Sequence, residues 1–139
     1  MIAITLPRTL IDKIISGEKK IELRKNYPAS EGFIMKVFVV EKGTRNVPIT
    51  IMVQYMGQRS PMWIWRIHAD ELGISYGEFL RYVKDSKLLY PWYIYNVSRN
   101  SRTFSIDDLD IKKAPQSYVY IKERRNQNET IRKNRKNRR

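Results

Sequence analysis

Apolar residues crowd the first positions, Met1-Ile2-Ala3-Ile4-Thr5-Leu6, and predict a buried strand. The period then changes. Leu10, Ile11, Ile14 and Ile15 recur at helical spacing, behind a Pro7 whose missing N–H a first helical turn tolerates. Gly17 stands where a left-handed residue ends a helix. The pattern predicts a helix over residues 7–16 that delivers the chain directly into a strand at about 20–25. Phe33 to Val40 is apolar except for Lys36 and reads as a central strand. A turn at Lys42-Gly43-Thr44-Arg45-Asn46 leads to a strand from Ile49 to Met56, with Ile49, Ile51, Val53 and Tyr55 on one face.

Trp63, Ile67 and Glu71 or Leu72 return to helical spacing, and Gly73 closes that short helix. Ser75-Tyr76-Gly77-Glu78 is a capping box, flanked by Ile74 and Phe79 at the positions of a hydrophobic staple. A second helix follows to about Asp85, with Phe79, Leu80 and Val83 as its apolar face. The next strand is expected at 92–98. Ser105 with Asp107 and Asp108 caps a short helical turn, and Ala114-Pro115-Gln116-Ser117 leads into a last strand from Tyr118 to Ile121. The sum is an α+β chain of five or six short strands and two or three helices. Helices do not alternate with every strand, which excludes a doubly wound sheet and favours a small mixed β-barrel with helical insertions. Residues 1–121 form one domain on this reading. Residues 122–139 hold a single apolar residue, Ile131, and are expected to be a disordered tail.

Charge sharpens the picture. The 139 residues carry a formal net charge of +13. The tail holds nine Lys/Arg against two Glu, a net of +7, and the remaining +6 lies in residues 1–121. A polyanion partner is the natural reading, with RNA or another nucleic acid the commonest. Tail cations Arg124, Arg125, Arg132, Lys133, Arg135 and Lys136 are the expected phosphate contacts. There is no cysteine, so neither a disulfide framework nor a thiolate site is expected. No apolar run has the roughly 20 residues of a membrane span, and the N-terminus lacks the signature of a secretory signal, so the expectation is a cytoplasmic protein. A lone histidine, His68, with scattered carboxylates calls for no metal and no cofactor.

The candidate chemistry is concentrated in Gly17-Glu18-Lys19-Lys20-Ile21-Glu22-Leu23-Arg24. Strand alternation puts Ile21 and Leu23 on one face and Lys20, Glu22 and Arg24 on the other. A carboxylate between cations can orient Lys19 and Arg24 toward a phosphate or a base edge, Arg as a planar fork and Lys as a point charge. The competing reading is a structural ion pair near the mouth of the barrel.

Gly17-x-Lys19-x-x-Glu22-x-Arg24 after an amphipathic helix, with Ala114-Pro115-Gln116-Ser117-Tyr118 at the other end, resembles the ASCH domain of the PUA-like superfamily over about residues 1–121. The resemblance implies a small PUA-like β-barrel with the charged run lining a cleft at one mouth. It implies RNA binding. It also implies a possible enzyme, because one branch is an amidohydrolase acting on N4-acetylcytidine and other members are ribonucleases. In the amidohydrolase branch a Lys, a Thr three residues later and a distant Glu are catalytic. Lys19 matches the Lys, Glu22 stands in place of the Thr, and Glu71 is the counterpart available for the Glu. The resemblance brings Ser117 and Tyr118 near the charged run, where Ser117 can donate to a ligand or simply fix a turn. A third reading is a protein-interaction module that the tail only localises.

Trp63, Trp65, Tyr90, Trp92, Tyr93 and Tyr95 form an aromatic-rich set. They are expected mostly in the core, with base stacking the alternative for any left exposed. Alternation separates Trp92 and Ile94 from Tyr93 and Tyr95.

Overall fold

A computed structural model describes residues 1–122. The tail cations singled out above lie outside the described residues. Six strands form one sheet: β1 (Ile2–Leu6), β2 (Ile21–Arg24), β3 (Ile34–Glu41), β4 (Ile49–Tyr55), β5 (Tyr90–Arg99) and β6 (Tyr118–Tyr120), in the order β2-β5-β4-β3-β1-β6. Only β1 and β3 run parallel, which requires a crossover, and α1 (Arg8–Ser16) supplies it. The α+β sheet curls into a half-barrel. Side chains, not a backbone ladder, join its two edge strands. Arg24 at the end of β2 donates through Nη2 to the Ser117 carbonyl at 2.6 Å, and Asn26 Nδ2 donates to Ser117 Oγ at 3.3 Å, just ahead of β6.

The inner face of the sheet packs against α1. Ile11 and Ile14 of the helix meet Ile2, Ile4, Val37, Val39, Ile49, Ile51, Val53 and Trp92. Each such aliphatic side chain contributes roughly 1.5–3 kcal/mol on burial. The opposite face of β2, with Ile21 and Leu23, packs against α2 (Pro61–His68) and α3 (Tyr76–Val83) through Ile64, Leu72, Phe79 and Val83. A third cluster gathers Ala3, Val40, Val47, Ile106, Leu109 and Ile121.

The capping box at Ser75 stands as the sequence suggested, and α2 has a Ser60 cap that was not anticipated. Ser60 Oγ accepts the Trp63 N–H at the start of α2, and Ser75 and Glu78 exchange both bonds of the capping box at the start of α3. Two apolar positions differ from expectation. Ile67 and Leu80 are exposed, and Ile64 and Leu72 fill the core positions beneath α2. Ile64 is the buried residue of α2 and Ile67 stands on its exposed side; after His68 a 3₁₀ turn at Ala69–Glu71 carries the chain to the buried Leu72. The fourth helical position, Ile106–Leu109, is the short capped turn anticipated at Ser105. No helix among the described residues is long and apolar enough to cross a membrane.

Candidate functional site

Lys19, Glu22 and Arg24 converge on one small cavity at the end of the half-barrel. Its volume is about 250 Å³, and its other walls are Leu6, Leu10, Leu23, Ile74, Glu78 and Tyr82. Four elements make it. The end of β1 and the start of α1 give the two leucines, β2 gives the charged face, and the entry and second turn of α3 give Ile74, Glu78 and Tyr82.

Lys19 is 4 % exposed and Glu22 5 %, so both charges are removed from bulk water and need partners. Lys19 has them. Its Nζ donates to the Ile21 carbonyl at 2.7 Å and the Leu72 carbonyl at 2.9 Å, and lies 3.4 Å from Glu22 Oε1. Register explains the first bond. Lys20 O already accepts from Ile94 N of β5, so the Ile21 carbonyl points to the free edge of β2. Leu23 O on the same edge accepts from Tyr82 Oη at 2.9 Å. Two side chains thus cap the carbonyls of an edge that no strand covers. The stem of Lys19 runs against Gly73, whose left-handed backbone, φ +70°, turns the chain over it.

Glu22 is less well supplied. Oε1 faces Lys19 at 3.4 Å and Oε2 faces Arg24 Nη1 at 3.7 Å, and Oε2 accepts no hydrogen bond among the described residues. Oε2 is fully buried. Arg24 is committed elsewhere, with Nη2 on the Ser117 carbonyl and its guanidinium carbon 5.8 Å from the centre of the Trp92 ring. Trp92 lies directly across from Glu22 on β5 and its indole N–H is likewise without an acceptor.

The cavity walls carry two cations, Lys19 and Arg24, and two carboxylates, Glu22 and Glu78. The Glu78 carboxyl is held below its ordinary range by the Ser75 backbone and side-chain hydrogen bonds. Tyr82 is pushed up to about 12, by burial first and by the charge of Glu22 second, with Arg24 opposing. Charges that cancel, among leucine and isoleucine walls, suit a neutral planar group that donates hydrogen bonds better than a phosphate.

The remaining candidates sit apart from this cavity. Glu71 turns its carboxylate to His68, with Oε1 2.7 Å from Nδ1, and contributes its backbone carbonyl to Lys20 N–H at 2.8 Å. Ser117 touches the site only as the acceptor for Arg24 and Asn26. Tyr118 packs on the inner core edge-on to Tyr120, with ring centres 5.6 Å apart, and its hydroxyl is held above its ordinary range by burial first and by the hydrogen bond with Tyr120 second. Of the aromatic set, Trp92 is fully buried, Tyr93 and Tyr95 are exposed, and Trp63, Trp65 and Tyr90 are half-buried. Ile74, Glu78 and Tyr82 were missed as wall residues. Their four-residue spacing through the capping box is the signal that marks one helical face. Among the described residues no group of three or more His, Asp or Glu side chains is placed to hold a metal ion.

The architecture is a curled mixed sheet with a charged cavity at one mouth, and it is shared with solved ASCH proteins. Two point mutants of the ASCH protein from Zymomonas mobilis superpose with TM-scores of 0.77 and 0.74 at 15 % and 16 % identity, over 94 % of this chain and 96 % and 94 % of theirs. The unsubstituted Zymomonas mobilis ASCH protein gives 0.74 at 16 % identity, over 94 % of this chain and 93 % of its own. Likeness at this identity defines the fold. No protein-family profile matches the chain, and no curated protein matches it in sequence.

Proposed function

We propose that this chain is an RNA-binding domain whose cavity takes one unpaired nucleobase, with Glu22 as the acceptor for the base's N–H groups. The observation that carries this reading is the buried Glu22 carboxylate in the cavity wall, flanked by two cations, with an Oε2 that accepts no hydrogen bond among the described residues. An ionised group so placed costs several kcal/mol unless donors reach it. A base edge bearing N–H donors supplies them, and Leu6, Leu10, Leu23 and Tyr82 offer the apolar walls that a ring needs. Arg24 and Lys19 act as positioning residues that hold the carboxylate in orientation. Cations of the tail, Arg124, Arg125, Arg132, Lys133, Arg135 and Lys136, add sequence-independent, salt-sensitive affinity for phosphates. Titration of the full chain with labelled single-stranded RNA at several salt concentrations tests this. Glu22→Gln, which swaps one acceptor for a donor, should weaken binding about tenfold or more while the salt slope stays unchanged. Equal affinity for both proteins removes the cavity from the account, and absence of binding by the wild type removes RNA.

A hydrolase reading has one observation in its favour: a buried Lys–Glu pair, Lys19 and Glu22, in the wall of an open cavity. Against it, Lys19 Nζ is directed at two carbonyls and a carboxylate and presents no lone pair to the cavity. Incubation with N4-acetylcytidine and, separately, with RNA decides it. Product formed by the wild type and lost in Lys19→Met would make the pair catalytic, and no product from the wild type sets the enzyme aside.

A further inference from the structure

Beside the cavity, on the same inner face of the sheet, stand three tyrosines with nearly parallel rings. Tyr27 stacks on Tyr55 with centroids 4.0 Å apart and planes 16° apart, and Tyr90 lies 6.3 Å from Tyr27 and 6.1 Å from Tyr55, at 7° and 22°. Register fixes their place. Tyr90 is opposite Arg24, and Tyr55 is opposite Trp92, which is opposite Glu22. With strands about 4.8 Å apart, Tyr90 is one strand from Arg24 and Tyr55 two strands from Glu22, roughly 10 Å across the sheet.

These rings are half-buried, and among the described residues only Tyr90 has a hydroxyl partner, Gln58 Nε2 at 2.7 Å. The hydroxyls of Tyr27 and Tyr55 have no hydrogen-bond partner among the described residues and are not among the buried unpaired atoms. Two cations lie nearby, Arg59 at the cluster and Lys25 at the cavity wall. Arg59 pairs backbone to backbone with Leu89, next to Tyr90, and lays its guanidinium 4.4 Å from the centre of the Trp63 ring. Lys25 stands 4.9 Å from the centre of the Tyr82 ring. Neither makes an ion pair with a carboxylate among the described residues. The acidic neighbour of Tyr27, Glu31, is taken by the N-terminal amine.

Parallel aromatic faces edged by unneutralised cations are what single-stranded nucleic acid uses, because every base offers a ring face and every nucleotide a phosphate. We infer that Tyr27, Tyr55 and Tyr90 with Arg59 form a second nucleotide subsite, in which the base flanking the one in the cavity stacks on tyrosine and its phosphate meets Arg59. This rests on the reading of the cavity as a base site, and it gives the domain a footprint longer than one nucleotide.

The experiment compares a labelled single-stranded RNA octamer with free nucleosides, on the full chain. Tyr90→Leu should weaken octamer binding about fivefold or more, while Tyr90→Phe stays within about twofold, because stacking survives loss of the hydroxyl. Arg59→Ala should lower the slope of log affinity against log salt by about one. Nucleoside binding, read from the methyl resonances of Leu6 and Leu10, should be unchanged in all three. If Tyr90→Leu fails to fold, as its far-UV spectrum would report, the Arg59→Ala slope decides alone. Wild-type octamer affinity in Tyr90→Leu, or an unchanged slope in Arg59→Ala, overturns the subsite. Failure of the cavity reading shows differently: Glu22→Gln then has no effect while the Tyr90 and Arg59 effects persist.

Discussion

A methyl group placed on Gly73 would stand 2.8 Å from Cβ of Lys19 and 3.2 Å from its Cγ. The lysine stem and the glycine backbone therefore fit only together. Gly73→Ala must displace the stem, lose the left-handed turn, or both. The expected cost is about 2–4 kcal/mol, combining overpacking with the unfavourable positive φ. Gly17→Ala is the control: φ is +85° there, but nothing lies within 4 Å of the added methyl. It should cost only the backbone share, about 1–2 kcal/mol. Urea midpoints of the two variants test the difference.

Lys19 joins β2 to the turn at Leu72, donating to the Ile21 and Leu72 carbonyls and facing Glu22. Lys19→Met keeps the stem and removes the charge, which leaves a buried carboxylate beside Arg24 alone. A loss of about 3–5 kcal/mol is expected, and Lys19→Met with Glu22→Gln should recover part of it. A double mutant as unstable as the sum of the two singles would contradict the coupling.

Arg24 spans the two edges of the half-barrel by its bond to the Ser117 carbonyl. Arg24→Ala should lower amide exchange protection in β6, at Tyr118–Tyr120, far more than in the β3–β4 ladder. Equal loss in both would show that the bond serves global stability and does not close the edge.

Tyr82 gives a pH signature. Its native pKa is raised to about 12 from an ordinary value near 10, because burial and Glu22 disfavour the phenolate. Between pH 10 and 12 the unfolded chain has released this proton and the native chain has not, so stability falls as pH rises through that window and levels above it. Urea midpoints measured from pH 9 to 12 should decline less steeply in Tyr82→Phe than in the wild type.

Much of this was legible in the residues. The change from alternation to helical spacing at Pro7, the Ser75–Glu78 box and the alternating Ile49–Tyr55 run each reflect local physics, and each element formed where its pattern stood. Glu22 and Arg24 on one face of β2, with Ile21 and Leu23 on the other, follow from the pleat alone. What the sequence could not show is what other elements do to that face. The burial of Lys19 depends on the Leu72 carbonyl 53 positions away, the state of Arg24 on Ser117 93 positions away, and the cavity wall on where α3 docks. Ile67 is exposed because α2 docks through Ile64, and docking orientation is set by the elements beneath the helix. The tyrosine cluster joins residues from three separate segments, a juxtaposition that only sheet order creates.

The central claim is that a nucleobase enters the Glu22 cavity. Methyl-resolved NMR of the full chain, titrated with single-stranded RNA, tests it most directly. The account predicts saturable shifts at Leu6, Leu10, Leu23 and Ile74, the methyl-bearing walls of the cavity, and their loss in Glu22→Gln. Methyls that stay fixed at these four positions while the RNA binds would contradict it.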